Sequence, residues 1–126
     1  MTENEISAII LDAAIAVHRE LCGPGLLESV YEEALAYELK QRGLCVERQM
    51  VVPIVYKGQT LATPLRLDML VEGKVVVECK AVELYNTIFN VQVLTYVRLK
   101  KLKLGLVINF GAKAIKDGFH RVVNGL

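Results

Sequence analysis

The stretch RLDMLVEGKVVVECKA (66–81) contains two apolar runs that are separated by the turn sequence EG. This pattern predicts a β-hairpin with strands over 65–73 and 74–81. Side chains two positions apart on a strand share a face, so Glu78 and Lys80 are predicted to lie side by side. If the two strands pair in register, Asp68 on the first strand comes close to Glu78.

The charged residues of this hairpin need partners, because carboxylates are rarely placed in apolar strands without one. Two neighbouring carboxylates such as Asp68 and Glu78 repel, and a shared cation or a raised pKa relieves the repulsion. Oxygen ligands of this kind suit Mg²⁺ or Mn²⁺, and Lys80 would then stabilise a developing charge or position a water. The spacing alone equally allows an Asp–Lys–Glu ion-pair network on an exposed strand face.

The segments around the hairpin predict further helices and strands. Apolar residues recur every three or four positions over 5–21, 26–42 and 88–101, which predicts three helices. Runs of β-branched residues predict strands over 45–58 and 104–110, and a last short strand follows in the tail. This order of elements favours an α/β (α+β) fold, a mixed sheet with helices packed on its faces.

Composition narrows the class of protein. The 126 residues suit one domain (1–126) with one core, and 53% hydrophobic residues are typical of a globular chain. A net charge of +1 argues against a strongly basic surface for tight, non-specific nucleic-acid binding, but it allows an enzyme that holds phosphates through a metal.

Three widely spaced cysteines lack any zinc-site spacing, so we expect reduced and mostly buried thiols. Acidic residues precede the first apolar stretch and no run could cross a bilayer, so we expect a cytoplasmic protein without membrane contact.

The hairpin carries a recognisable motif. Asp68, followed ten residues later by Glu78-x-Lys80, resembles the PD-(D/E)xK nuclease superfamily. The second predicted helix adds Gly25-x-x-Glu28-x-x-Tyr31, which looks like the GxxExxY protein family, a small bacterial group within that superfamily. The resemblance covers nearly the whole chain, in the blocks VHREL (17–21), VERQ (46–49), VYKG (55–58), RLDMLVEGKVVVECKAVE (66–83), QVLTY (92–96), GLVINF (105–110) and VVNG (122–125).

This resemblance implies a fold and an activity. The fold would be a restriction-endonuclease-like core, a central mixed sheet flanked by helices, with an extra N-terminal helix. The activity would be Mg²⁺-dependent or Mn²⁺-dependent hydrolysis of phosphodiester bonds in DNA or RNA. The implied metal ligands are Asp68, Glu78, Glu28 and the backbone carbonyl of Cys79, while Lys80 would orient the attacking water or neutralise charge in the transition state.

The resemblance also assigns residues around the metal. Gln92 and Tyr96 share a helix face, and in related nucleases such a Q-x-x-x-Y pair borders the active site. Gln92 would act in catalysis by bonding a phosphate or orienting a water, and Tyr31, Arg66 and Tyr96 would support the site or contact nucleic acid. Without the resemblance, Glu28 would simply complement the helix dipole, Tyr31 would be a core residue and Gln92 a polar helix edge.

The chain departs from the family pattern in three places, and the first is the glycine turn CGPG (22–25) after Leu21, one residue longer than LGPG. Leu67 stands where the superfamily motif has proline, and Phe89 and Asn90 stand where the family commonly has a histidine and an acidic residue. No histidine is therefore expected to act in catalysis, and His18 and His120 are poor candidates for it.

Two other functions stay open on the sequence. A nuclease-fold module could bind nucleic acid or protein with weak catalysis or none. A small homodimeric interaction protein is also compatible with so hydrophobic a chain.

Overall fold

The computed structural model describes residues 1–126, and a five-stranded mixed sheet lies at its centre. Along the chain the elements are α1 Glu3–Glu20, α2 Glu28–Gln41, β1 Val46–Val52, β2 Val55–Tyr56, β3 Gln59–Thr60, β4 Leu65–Val71, β5 Val75–Lys80, α3 Ile88–Leu99, β6 Leu104–Asn109, α4 Ile115–Gly118 and β7 Phe119–Val123. The strand order is β1-β4-β5-β6-β7, and β2 and β3 form a separate small hairpin. Strands β5 and β6 are parallel and joined through α3, and all other neighbours are antiparallel.

Helices cover both faces of the sheet. The larger buried cluster lies between α1, α2 and one sheet face, and it includes Tyr31, Leu35, Met69, Val77 and Cys79. The smaller cluster lies between α3 and the opposite face, and it includes Leu70, Val76, Val93, Val97 and Val107. Alternate residues of β5 enter the two clusters, as the period of a strand requires. The predicted mixed sheet with flanking helices is thus confirmed, and the fold is restriction-endonuclease-like.

The helix α3 packs against β6 at a glycine, Gly105, which leaves room for two valines of the helix. A Cβ atom at Gly105 would lie 2.3 Å from Cγ1 of Val93 and 2.8 Å from Cγ2 of Val97, closer than side-chain atoms can approach. This contact fixes the height of α3 above the sheet.

The predicted elements agree with the structure to within two residues at each helix end. The short hairpin β2–β3 and the four-residue helix α4 were not predicted. The expectation of mostly buried thiols is wrong, because Cys22 and Cys45 are exposed and only Cys79 is buried. Cys22 lies in the turn between the two N-terminal helices and Cys45 lies just before β1, so neither is packed between a helix and the sheet. No helix is both long enough and apolar enough to cross a membrane.

Candidate active site

Strands β4 and β5 stop pairing through their backbones at the position of the two acidic residues. Their last paired residues are Met69 and Val77, so the next position sets Asp68 opposite Glu78. There the backbone N–H of Asp68 donates to Oε2 of Glu78 at 3.2 Å, and the N–H of Cys79 donates to Oδ2 of Asp68 at 3.0 Å. Each carboxylate is thus held by the backbone of the opposite strand, at the point where the strands part.

Burial gives this acidic pair unusual electrostatics. Glu78 is only 6% exposed. Burial, a hydrogen bond shared with Asp68 and the negative charge of Asp68 together raise the pKa of Glu78 to about 9. At neutral pH the metal-free pair therefore holds a proton that an ordinary glutamate would have lost.

Lys80 lies beside the pair without forming an ion pair. Its Nζ is 4.6 Å from the centroid of the Phe89 ring, a cation–π distance. None of the salt bridges in the chain includes Lys80. With Glu78 buried and Lys80 on an aromatic ring, the alternative of an exposed Asp–Lys–Glu ion-pair network is wrong.

Phe89 is itself held by neighbouring aromatic residues. Its ring meets Tyr85 edge-on, with centroids 5.4 Å apart. Tyr85 stacks on His120 of β7 at 3.9 Å and donates a hydrogen bond to Oδ1 of Asn90 at 2.7 Å. The two residues that depart from the family pattern, Phe89 and Asn90, thus belong to an aromatic support for Lys80.

Glu28 lies in the first turn of α2, within electrostatic reach of the pair. Its pKa is raised, mainly because the surrounding chain removes water from its carboxyl group, with Asp68 and Glu32 adding to the rise and Lys80 opposing it. Nowhere do three His, Cys, Asp or Glu side chains come close enough together to hold a metal ion among them. The structure therefore brings Asp68 and Glu78 together but does not add Glu28 to them directly.

Tyr96 on α3 lies within electrostatic reach of the same carboxylates. Tyr96 is half-buried, and its pKa is raised by that burial and then by the negative charges of Glu78 and Asp68. Gln92 lies one turn earlier on the same helix and is exposed. Tyr96 therefore lies within electrostatic reach of the pair, and Gln92 makes no side-chain hydrogen bond to it.

Tyr31 is buried completely and shapes the loop before α2. Its hydroxyl donates to the carbonyl of Gly23 at 2.7 Å and accepts from the N–H of Leu26 at 3.2 Å. Its ring stacks on Phe110 with centroids 4.8 Å apart. Gly25, between these two anchors, has φ +123°, which favours glycine. The tyrosine and glycine of the motif thus set the loop from which Glu28 begins the helix, and Tyr31 offers no exposed surface to nucleic acid.

The sequence did not indicate a role for three polar residues near the pair, Glu32, Arg48 and Gln49. Glu32 is only 5% exposed and accepts hydrogen bonds from Arg48 and Gln49, two adjacent residues of β1. The sequence signal for Glu32 was its position four residues after Glu28, which sets both on the same helix face.

Arg66, which was predicted to support the site, is exposed and donates from Nη1 to the carbonyl of Gln49 at 3.4 Å.

The mixed sheet with helices on both faces and an acidic pair at its parting strands defines a restriction-endonuclease-like α/β protein. The family model of the PD-(D/E)XK nuclease superfamily matches residues 4–122. The chain therefore belongs to this superfamily. No curated protein and no solved structure gave a significant match.

Proposed function

We propose that this protein is a divalent-metal-dependent nuclease that hydrolyses phosphodiester bonds of DNA or RNA, with Mg²⁺ as its ion and Mn²⁺ as a substitute. Within the superfamily we assign it to the GxxExxY group, on the residues Gly25, Glu28 and Tyr31. We further propose that residues 1–126 act as one nuclease-like domain.

The buried acidic pair carries this proposal. Asp68 and Glu78 are opposed across two strands, fixed by backbone N–H groups, and close enough to share a proton. Proteins retain such a costly arrangement where a cation or a chemical step needs it. The adjacent Lys80 ammonium has no carboxylate partner and is free to meet a phosphate.

The residues present fit Mg²⁺, which is commonly bound by one or two carboxylates, with waters and substrate phosphates completing the shell. Asp68 and Glu78 would supply the carboxylates and the carbonyl of Cys79 a further oxygen. Glu28, which stands apart from the pair, would reach the ion through water. A bound ion supplies the acidity that activates water and polarises the scissile phosphate.

The remaining residues act on substrate and water. Lys80, held over the Phe89 ring, would donate hydrogen bonds to the phosphate oxygens, whose negative charge grows in the transition state. Gln92 is exposed on α3 and can bond a phosphate oxygen. Tyr96, within electrostatic reach of the carboxylates, would support the site, and exposed Arg66 would contact the nucleic-acid backbone.

A cleavage panel tests the proposal. Labelled single-stranded and double-stranded DNA and RNA are incubated with the wild type in Mg²⁺, in Mn²⁺ and in EDTA. We expect cleavage of at least one substrate with metal and none in EDTA, and a loss on the order of 100-fold in Glu78→Gln and Lys80→Met. Lys116→Met, at an exposed lysine of α4, serves as the matched control and should keep wild-type activity.

A binding module without chemistry would give the opposite result. It would bind nucleic acid in the absence of metal, cleave none of the panel, and show no change of melting temperature with Mg²⁺ or Mn²⁺.

Homodimer formation is a separate proposal, and light scattering at micromolar concentration tests it. A mass near 28 kDa, twice the 14.0 kDa chain, supports the proposal, and a mass near 14 kDa contradicts it.

A further inference from the structure

Strand β1 contains a backbone irregularity directly opposite the acidic pair. Arg48 pairs with Met69 and Met50 with Leu67, so the register sets Gln49 opposite Asp68. Residues directly opposed in an antiparallel pair have their side chains on the same face. In a regular strand, the Gln49 side chain would therefore lie beside the Asp68 carboxylate.

The observed conformation turns that side chain away. Gln49 has φ +51°, the left-handed region that non-glycine residues rarely adopt and that costs on the order of 1 kcal/mol or more. Consecutive side chains of a strand normally point to opposite faces. Here both Arg48 and Gln49 bond the same carboxylate, that of Glu32 on α2.

Glu32 is placed to hold this conformation. Its Oε2 accepts from Nε of Arg48 at 3.1 Å and from Nη2 at 2.9 Å. Both of its oxygens lie 3.0 Å from Nε2 of Gln49. Because Glu32 is buried on α2, on the opposite side of the sheet from α3, these bonds pull the Gln49 amide out of the row that contains Asp68 and Glu78.

We infer that Glu32 is a positioning residue that keeps Gln49 turned away, so that the face of the Asp68–Glu78 pair stays open to a metal ion and a phosphate. The catalytic consequence rests on the proposed nuclease function. The conformational claim does not, because it concerns the backbone of Gln49 alone.

The variant Glu32→Ala tests the inference. It should let Gln49 relax to extended backbone, with its side chain beside Asp68, and lower both Mn²⁺ affinity and cleavage by at least about tenfold. Glu33→Ala, which removes an exposed neighbouring glutamate, should match the wild type.

A second change separates positioning from a purely structural ion pair. Glycine tolerates positive φ and has no side chain to obstruct the pair. The double variant Glu32→Ala/Gln49→Gly should therefore recover metal affinity and cleavage to within about threefold of the wild type. If Glu32 served only to form an ion pair with Arg48, the double variant would keep the loss of Mn²⁺ affinity and cleavage seen in Glu32→Ala. That result would overturn the inference.

The inference stays testable if Glu32→Ala fails to fold. Gln49→Leu keeps the Glu32–Arg48 pair but removes the amide that Glu32 holds, so it should lower Mn²⁺ affinity about as much. Unchanged affinity in Gln49→Leu would contradict the inference.

Backbone chemical shifts and the HN–Hα coupling of Gln49 give a readout that needs no activity. They should report left-handed backbone in the wild type and extended backbone in Glu32→Ala, or in Gln49→Leu. A left-handed residue 49 in these variants overturns the inference. A wild type that neither binds metal nor cleaves refutes the proposed function instead, and the conformation of residue 49 still decides the inference.

Discussion

Glu78 shows how its surroundings change a strand carboxylate. In a two-strand pairing it would be a half-exposed acid, but α3 covers its face of the sheet and Asp68 lies opposite. The pKa of Glu78 is raised because it costs free energy to bury its negative charge, and because the like charge of Asp68 lies beside it. A divalent cation relieves the same cost without a proton, and this is why the pair suits a metal.

The raised pKa predicts how stability depends on pH in the metal-free protein. Between the ordinary value of 4.5 and the folded value of about 9, the folded state binds more protons at Glu78 than the unfolded state. The free energy of unfolding should therefore fall as pH rises through this window. Thermal melts in EDTA from pH 5 to 9 should show this fall in the wild type and a flatter profile in Glu78→Gln. Equal slopes in both proteins, with exposed Glu33→Gln as control, would contradict the assignment.

The meeting of Asp68 and Glu78 could be predicted only in part. Their strands and the turn were readable from the sequence, but the register was not. A two-residue turn at Glu72 and Gly73 would set Asp68 opposite Val77, whereas the observed three-residue connection sets it opposite Glu78. Since a slip of one residue moves every side chain to the other face, the site depends on a turn detail that the sequence does not specify.

At the scale of elements, the conformation of the loop between α1 and α2 depends on one side chain, that of Tyr31. The phenol of Tyr31 satisfies one backbone acceptor, on Gly23, and one backbone donor, on Leu26. The helix α2 has no side-chain cap at its start, so this loop determines where the helix begins.

Replacing Tyr31 with phenylalanine should therefore destabilise the protein. The carbonyl of Gly23 and the N–H of Leu26 would lose their partner, at a cost of about 1–3 kcal/mol in unfolding free energy. Urea denaturation should show this loss in Tyr31→Phe and almost none in Tyr37→Phe, where the tyrosine is 66% exposed. Equal stability of the two variants would contradict a role for the hydroxyl in the loop.

The docking of α3 on β6 gives a second prediction about elements. Gly105→Ala should lower the free energy of unfolding by about 1–3 kcal/mol, because the added methyl would overlap Val93 and Val97. Shortening Val93 to alanine removes the nearest clashing atom, so Gly105→Ala/Val93→Ala should be less destabilised than the sum of the two single changes. Simple additivity in denaturation midpoints would show that the helix does not rest on this glycine.

Short elements were the ones that sequence patterns could not predict. The helices α1, α2 and α3 each span three turns or more, so their apolar period was readable. The hairpin β2–β3 has two residues in each strand and α4 has four residues, which is too few for any period to appear. The left-handed backbone of Gln49 could not be predicted for another reason. The hydrogen bonds that hold this residue come from Glu32, seventeen residues away on α2.

At the scale of the whole molecule, the site exists because three layers meet at one end of the sheet. The α1–α2 layer brings Glu28 and Glu32, the sheet brings the acidic pair and Lys80, and α3 brings Tyr96. The sequence indicated a mixed sheet between helices but not the strand order, which depends on how β4 and β5 pair with distant partners. Superfamily membership agrees with this arrangement over residues 4–122.

The central claim is that the Asp68–Glu78 pair is the metal-dependent catalytic centre. The most direct test is the rate at which wild-type protein and Asp68→Asn cleave a mixed pool of labelled DNA and RNA in Mg²⁺, with melting curves to verify folding. We expect wild-type cleavage and a loss on the order of 100-fold or more in Asp68→Asn, while Asp117→Asn, at an exposed aspartate of α4, keeps the wild-type rate. Cleavage by Asp68→Asn at the wild-type rate would contradict the claim.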